Sequence, residues 1–224
     1  MSALVRMRVT GFVRSGRALA PLVALLAILG VLYGGGASPA APAYGYSAAA
    51  LFAVLAWLTK LVLDTEPDVQ RGLARLSVGP VREGTAGILA AAVLGAGVCL
   101  AAMVTPFVFG AIRGPYFPGI LLGLLAHVLS LLGALALGAL AARAVTRRVL
   151  PGVATLVTGS VLVIVFGLSG SIAPWLVPPV MATARALTEA RTPDPATLVG
   201  LAAWTVAWCA VVLALYARLR RDRA

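Results

Sequence analysis

Six long apolar runs alternate with short polar connections along this chain. They fall at about 18–33, 46–63, 86–109, 118–142, 153–169 and 197–217. A helix that crosses a bilayer needs roughly 20 apolar residues, whereas a barrel strand needs only about 10. The runs have the helical length, and backbone groups in hydrocarbon must be satisfied within the segment. The pattern predicts an all-α, polytopic membrane protein: one transmembrane domain over 1–224 with six transmembrane helices. The fifth run is the shortest and ends in "GLSGSIAPW"; the fourth is long enough to tilt. The polar stretches reach only about twenty residues, too few for a soluble nucleotide-binding or catalytic domain.

Charge fixes the expected orientation. The chain is 61% hydrophobic and 11% charged, against roughly 25% charged in soluble domains. Its net charge of +11 would suggest nucleic acid in a soluble protein, but here the placement of the charges points to a lipid bilayer and no nucleic acid. Of the 18 Lys and Arg residues, only Arg113, Arg185 and Arg191 fall on one side. All the others flank the opposite ends of the runs. The positive-inside rule then puts both termini in the cytoplasm. The excess of Arg over Lys, with abundant Ala, Gly and Pro, suggests a GC-rich bacterial genome and hence a bacterial cytoplasmic membrane. Cys99 and Cys209 lie inside apolar runs and indicate neither a disulfide framework nor a metal site. Residues 1–43 also fit a signal peptide, with "APA" at 41–43, but the long basic start favours retention.

The stretch "LDTEPDVQRGLARLSVGPVREG" at 63–84 holds seven charged residues, among them four of the chain's seven acids. Acids contribute little to topology, so the connection has some other use. Thr65 or Glu66 can cap a helix with Pro67 and Asp68 in its first turn. Val69, Leu73 and Leu76 recur at helical spacing, Gln70, Arg71 and Arg75 project elsewhere, and "VGP" at 78–80 ends the helix. Mixed charge beside an apolar stripe suits a docking surface for a soluble partner. In residues 1–17, Val5, Val9 and Phe12 share a face, although Arg8 spoils the pattern; this predicts a helix in the membrane interface. The outer connection 170–196 is broken by Pro174, Pro178 and Pro179, then amphipathic, and reads as a re-entrant or interfacial segment.

Taken in order, these pieces resemble the membrane (permease) subunit of ABC transporters of the type-2 exporter class. The motif-level likeness lies in "EPDVQRGLARLSVGPVREGTAGILAA". The resemblance implies that the helix after the second span is a coupling helix docking on a separate cytoplasmic ATPase, through Glu66, Gln70, Arg71 and Arg75, with Arg82 and Glu83 at its exit. It also implies two ATPase copies, a second permease copy or a related permease, and a pathway between the two sets of six spans. ATP and Mg would be bound by the ATPase, so this chain would hold no cofactor and perform no hydrolysis. The cargo would be a drug, lipid, peptide or polysaccharide. This chain is small for the class and has no large outer domain.

The residues themselves agree on the source of energy. There is no GxxxxGK[ST] and no GxGxxG match, so ATP cannot be used by this chain alone. No Asp or Glu lies inside a run, which disfavours an ion-coupled carrier. A non-transporting structural or immunity protein stays open as an alternative. His127, the only histidine, is a possible pathway residue or a hydrogen-bonded packing residue. Lys60 is expected to snorkel to the headgroups. "GLSG" at 167–170 matches a motif of intramembrane serine proteases, but no histidine follows it. "GILLG" at 119–123 has the spacing for close helix contact, Pro106 is expected to kink the third run, and Trp204 and Trp208 share a face.

Overall fold

The computed structural model describes residues 1–188 and 193–221. The described residues are almost wholly helical: α1 Ser2–Arg14, α2 Leu19–Tyr33, α3 Ala40–Leu63, α4 Asp68–Val78, α5 Pro80–Val108, α6 Tyr116–Leu140, α7 Arg143–Thr146, α8 Val149–Gly167, α9 Val180–Thr188 and α10 Pro195–Arg221. A two-residue parallel bridge pairs Ser38–Pro39 with Ile112–Arg113. Five helices (α3, α5, α6, α8 and α10) are long and apolar enough to cross a membrane. A sixth crossing requires counting α1 and α2 as one bent element, for the two are inclined by 76°. At about 1.5 Å per residue, the 15 residues of α2 fall short of a bilayer core roughly 30 Å thick.

The bundle is organised around α3 and α6. The most apolar window of α3 is 61% buried and that of α6 is 56%, against 17% for both α8 and α10. Small residues let the two axial helices approach. A Cβ on Gly123 would meet the Tyr44 side chain at 2.6 Å, and one on Gly138 would meet the Ala56 carbonyl oxygen at 2.5 Å. The glycines of "GILLG" therefore serve a contact within the chain: Gly119 faces Ala40 as Gly123 faces Tyr44. Dispersion and close fit hold such helices together in lipid, where the hydrophobic effect gives no preference for protein over tails.

Polar atoms stitch the same seam. Ser130 Oγ donates to the Ala48 carbonyl at 2.7 Å. Tyr44 donates its hydroxyl to the Met103 carbonyl of α5 at 3.0 Å. His127 is fully buried, with Nδ1 at 2.8 Å from the Gly123 carbonyl and Nε2 at 3.3 Å from Ser47 Oγ.

Several boundaries depart from the sequence expectation. The helices of the second and third runs, α3 and α5, begin earlier than those runs, at Ala40 and Pro80. Only Gly79 separates α4 from α5, with φ +84°, a conformation open to glycine. Pro80 then opens α5 at a position where its missing N–H costs nothing. Neither Thr65 nor Glu66 caps α4: Pro67 is the N-cap residue, and Thr65 Oγ1 donates back to the Leu61 carbonyl. Pro106 lies in the last turn of α5 and leaves the helix continuous to Val108. The face of α1 bearing Val5, Val9 and Phe12 packs on α3 and α5 residues, including Leu58, Val62 and Ala90, instead of facing outward.

The segment after α8 turns back into the bundle. Pro178 is buried beside Gly133 and Phe52, in the middle of α6 and α3. The indole N–H of Trp208, halfway along α10, donates to the Leu176 carbonyl at 2.9 Å. From there α9 buries Val180, Thr183, Ala184, Ala186 and Leu187, with Ala184 and Leu187 against Gly45 of α3. The proline-rich backbone at 174–179 is thus covered by protein on its inner side.

Candidate functional site

The chain's basic segments converge at one end of the bundle and form a buried charge cluster. Glu83, in the first turn of α5, is its centre. Its carboxylate accepts from Arg8 of α1 at 2.6 Å, from Arg75 of α4 at 3.5 Å, and from Arg220 of α10. Arg8 also grips Glu66 through two bonds, at 2.9 and 2.6 Å. Bidentate charge-assisted pairs of this kind fix orientation as well as adding energy. Arg71 donates to the carbonyls of Leu63 and Glu66 at 3.0 and 3.3 Å.

A second centre lies beside it. Asp64 accepts from Lys60 Nζ at 2.6 Å and from the Arg143 backbone N–H at 2.7 Å. Its carbonyl accepts from Arg143 at 2.8 Å and Arg17 at 3.2 Å. The two centres tie α1, α3, α4, α5, α7 and α10 together.

The local sequence makes room for these guanidinium groups. A Cβ on Gly84 would run into Arg220, and one on Gly87 would meet Arg8 at 2.5 Å and Leu63 at 2.8 Å. Both glycines occupy the first turns of α5, just past the carboxylate they frame. Removing charge from water is costly, and a buried ion is tolerated only when paired and hydrogen-bonded. Glu83 is 2% exposed and meets both conditions.

This arrangement sets the orientation of α4. Arg71 is buried and Arg75 half-buried, both turned toward the cluster. The opposite face presents Val69, Leu73 and Leu76, which are 76%, 63% and 86% exposed. Of the six residues expected to dock a partner, Glu66, Arg71, Arg75 and Glu83 make ion pairs or hydrogen bonds inside the chain. Only Gln70 and Arg82 are exposed. The outward surface of the stretch is therefore an apolar stripe flanked by Gln70 and Arg82.

Other singled-out residues have clear places. Lys60 does not reach outward to headgroups: it is 4% exposed and paired with Asp64 one turn on. The bonds of His127 go to Gly123 and Ser47, not to Ser169, and seal it between α3 and α6. The ring of Tyr44 covers it edge-on at 6.1 Å. Trp204 and Trp208 are both half-buried. Arg191 and Glu189 lie outside the described residues.

Arg143 and Arg220 were not singled out from the sequence, and Arg8 only as a break in an apolar face, yet all three anchor the cluster. One clue was present: Arg8 breaks the apolar face of the first helix, and a charge on such a face implies a buried partner. No family model, no curated protein and no solved structure matches this chain.

Proposed function

We propose that this chain is the membrane-spanning permease subunit of an ATP-driven exporter, and that α4 is the element by which a separate cytoplasmic ATPase acts on it. One observation carries the reading. α4 has its two arginines held inward and a row of large apolar side chains exposed outward. A helix joined to α5 by the Arg75–Glu83 ion pair, and through Glu83 to Arg8 of α1, transmits force to the spanning helices. The exposed stripe, with Gln70 and Arg82 beside it, has the make-up of an interface core with a polar rim. In this reading six spans place both termini in the cytoplasm, and a second permease copy completes the pathway.

Docking then depends on Val69, Leu73 and Leu76, with Arg71 and Arg75 as the residues that hold α4 in place. The experiment uses a C-terminally tagged chain, extracted gently from its native membrane with nucleotide present. A stoichiometric soluble subunit carrying a phosphate-binding loop is expected, and Leu73→Asp with Leu76→Asp is expected to release it while the chain stays folded. Recovery of the chain alone in several mild detergents would favour the non-transporting structural reading, with the α4 stripe lying on lipid. Capture unchanged by the double substitution would put the docking site elsewhere.

A further inference from the structure

Polar contacts clasp α5 and α10 at the basic end of the bundle. Arg220 reaches Glu83 and donates to the Pro80 carbonyl at 3.1 Å. Beyond that clasp the two helices leave a groove of about 650 Å³ between them, within the size range of small-molecule sites, roughly 300–1,000 Å³. Its walls are apolar, with Ile88 and Leu89 from α5 and Leu213 from α10. Its mouth holds Arg75, Arg220 and Arg221, and no carboxylate among the described residues lines it. Ile88 and Leu213 close its floor by packing with Ala139 and Leu140 of α6.

We propose that this groove binds an anionic phospholipid from the leaflet at the basic end of the bundle. The fit follows from charge and depth together. Of the arginines at the mouth, Arg75 and Arg220 share the carboxylate of Glu83, while Arg8, outside the groove, is also paired with Glu66. That leaves positive charge in excess at the mouth, where Arg221 adds more. A phosphate headgroup matches that excess, and arginine pairs with phosphate through two bonds at once. Leu213 lies eight residues from Arg221, so the apolar walls extend about 12 Å below the mouth at the helical rise, as an acyl chain requires. Basic pockets between spanning helices are a recognised setting for anionic headgroups. The bound lipid would brace α4 against α10 through Arg75 and Arg220. The inference does not depend on the export reading, since it needs only that these helices cross a bilayer.

The test uses the full chain in nanodiscs of equal parts dioleoyl phosphatidylcholine and dioleoyl phosphatidylglycerol, followed by native mass spectrometry. One phosphatidylglycerol should stay with each chain while phosphatidylcholine is lost. Arg221→Gln should weaken that retention about fivefold, the effect of one arginine beside an anionic surface. Leu89→Trp, which fills the groove from an exposed position, should abolish it. Both variants leave the Glu83 ion pairs intact and should elute as folded protein. Equal retention of both lipids, or selective retention unchanged in Leu89→Trp, would overturn the proposal. A second protein chain photo-cross-linked from position 89 would also overturn it.

Discussion

Two short amphipathic helices, α4 and α9, solve the same problem in opposite ways. α9 turns its apolar face into the bundle and buries Leu187 and Ala184 against α3. α4 turns its arginines inward and leaves Val69, Leu73 and Leu76 outside. The usual preference is the one α9 obeys. α4 departs from it because its inner neighbours are charged: Glu83 and the carbonyls of Leu63 and Glu66 offer guanidinium groups partners that leucine could not use. An apolar stripe left facing outward at the end of a bundle implies that something else covers it.

The comparison is broken most severely by removing its pivot. Glu83→Ala would leave two buried arginines, Arg8 and Arg220, and the half-buried Arg75 without their common carboxylate, and breaking a buried pair costs about 3–5 kcal/mol. The expected result is loss of folded protein in detergent, seen by size-exclusion chromatography and a lowered Tm. The next largest effect is on the other helix. Leu187→Asp puts an unpaired charge into the α3–α9 contact and should cost at least about 3 kcal/mol, read as a drop in Tm. Gly45→Val should force α9 off α3, since even the first carbon of the new side chain would lie 3.2 Å from Ala184 and Leu187; overpacking of this sort costs about 1–3 kcal/mol. The smallest effect belongs to the outward face of α4. Leu73→Asp with Leu76→Asp should change stability by no more than about 0.5 kcal/mol per site, as surface substitutions do. If that double variant unfolded like Leu187→Asp, the two helices would not differ as described.

Much of the helical layout was legible in the apolar runs, because length and hydrophobicity alone identify helices able to cross a bilayer. Each expected run overlaps an observed helix over most of its length. The amphipathic stretch after the second run was also legible as a helix, down to its end at Val78 and Gly79. The direction in which it faces was not. Periodicity shows that Val69, Leu73 and Leu76 share a side, but which side is buried depends on partners distant in sequence. Glu83 meets Arg220 from 137 positions away, and Glu66 meets Arg8 from 58. The same limit applied to Lys60, whose partner Asp64 was visible one turn away but whose burial under α8 was not. The first run matches α2 in extent, but the 76° bend that sets it against α1, and with it whether the count is five or six, leaves no trace in hydropathy.

The proposed coupling role of α4 depends on what covers its outer face, and a photo-cross-linking residue at position 76 tests that directly. It would be introduced in the full chain in its native membrane, with a matched probe at position 187 as the buried control. The expected product at 76 is a cross-link to a soluble protein bearing a phosphate-binding loop, while 187 links only within the chain. Cross-links from 76 to lipid alone, with nucleotide present and the chain folded, would contradict that role.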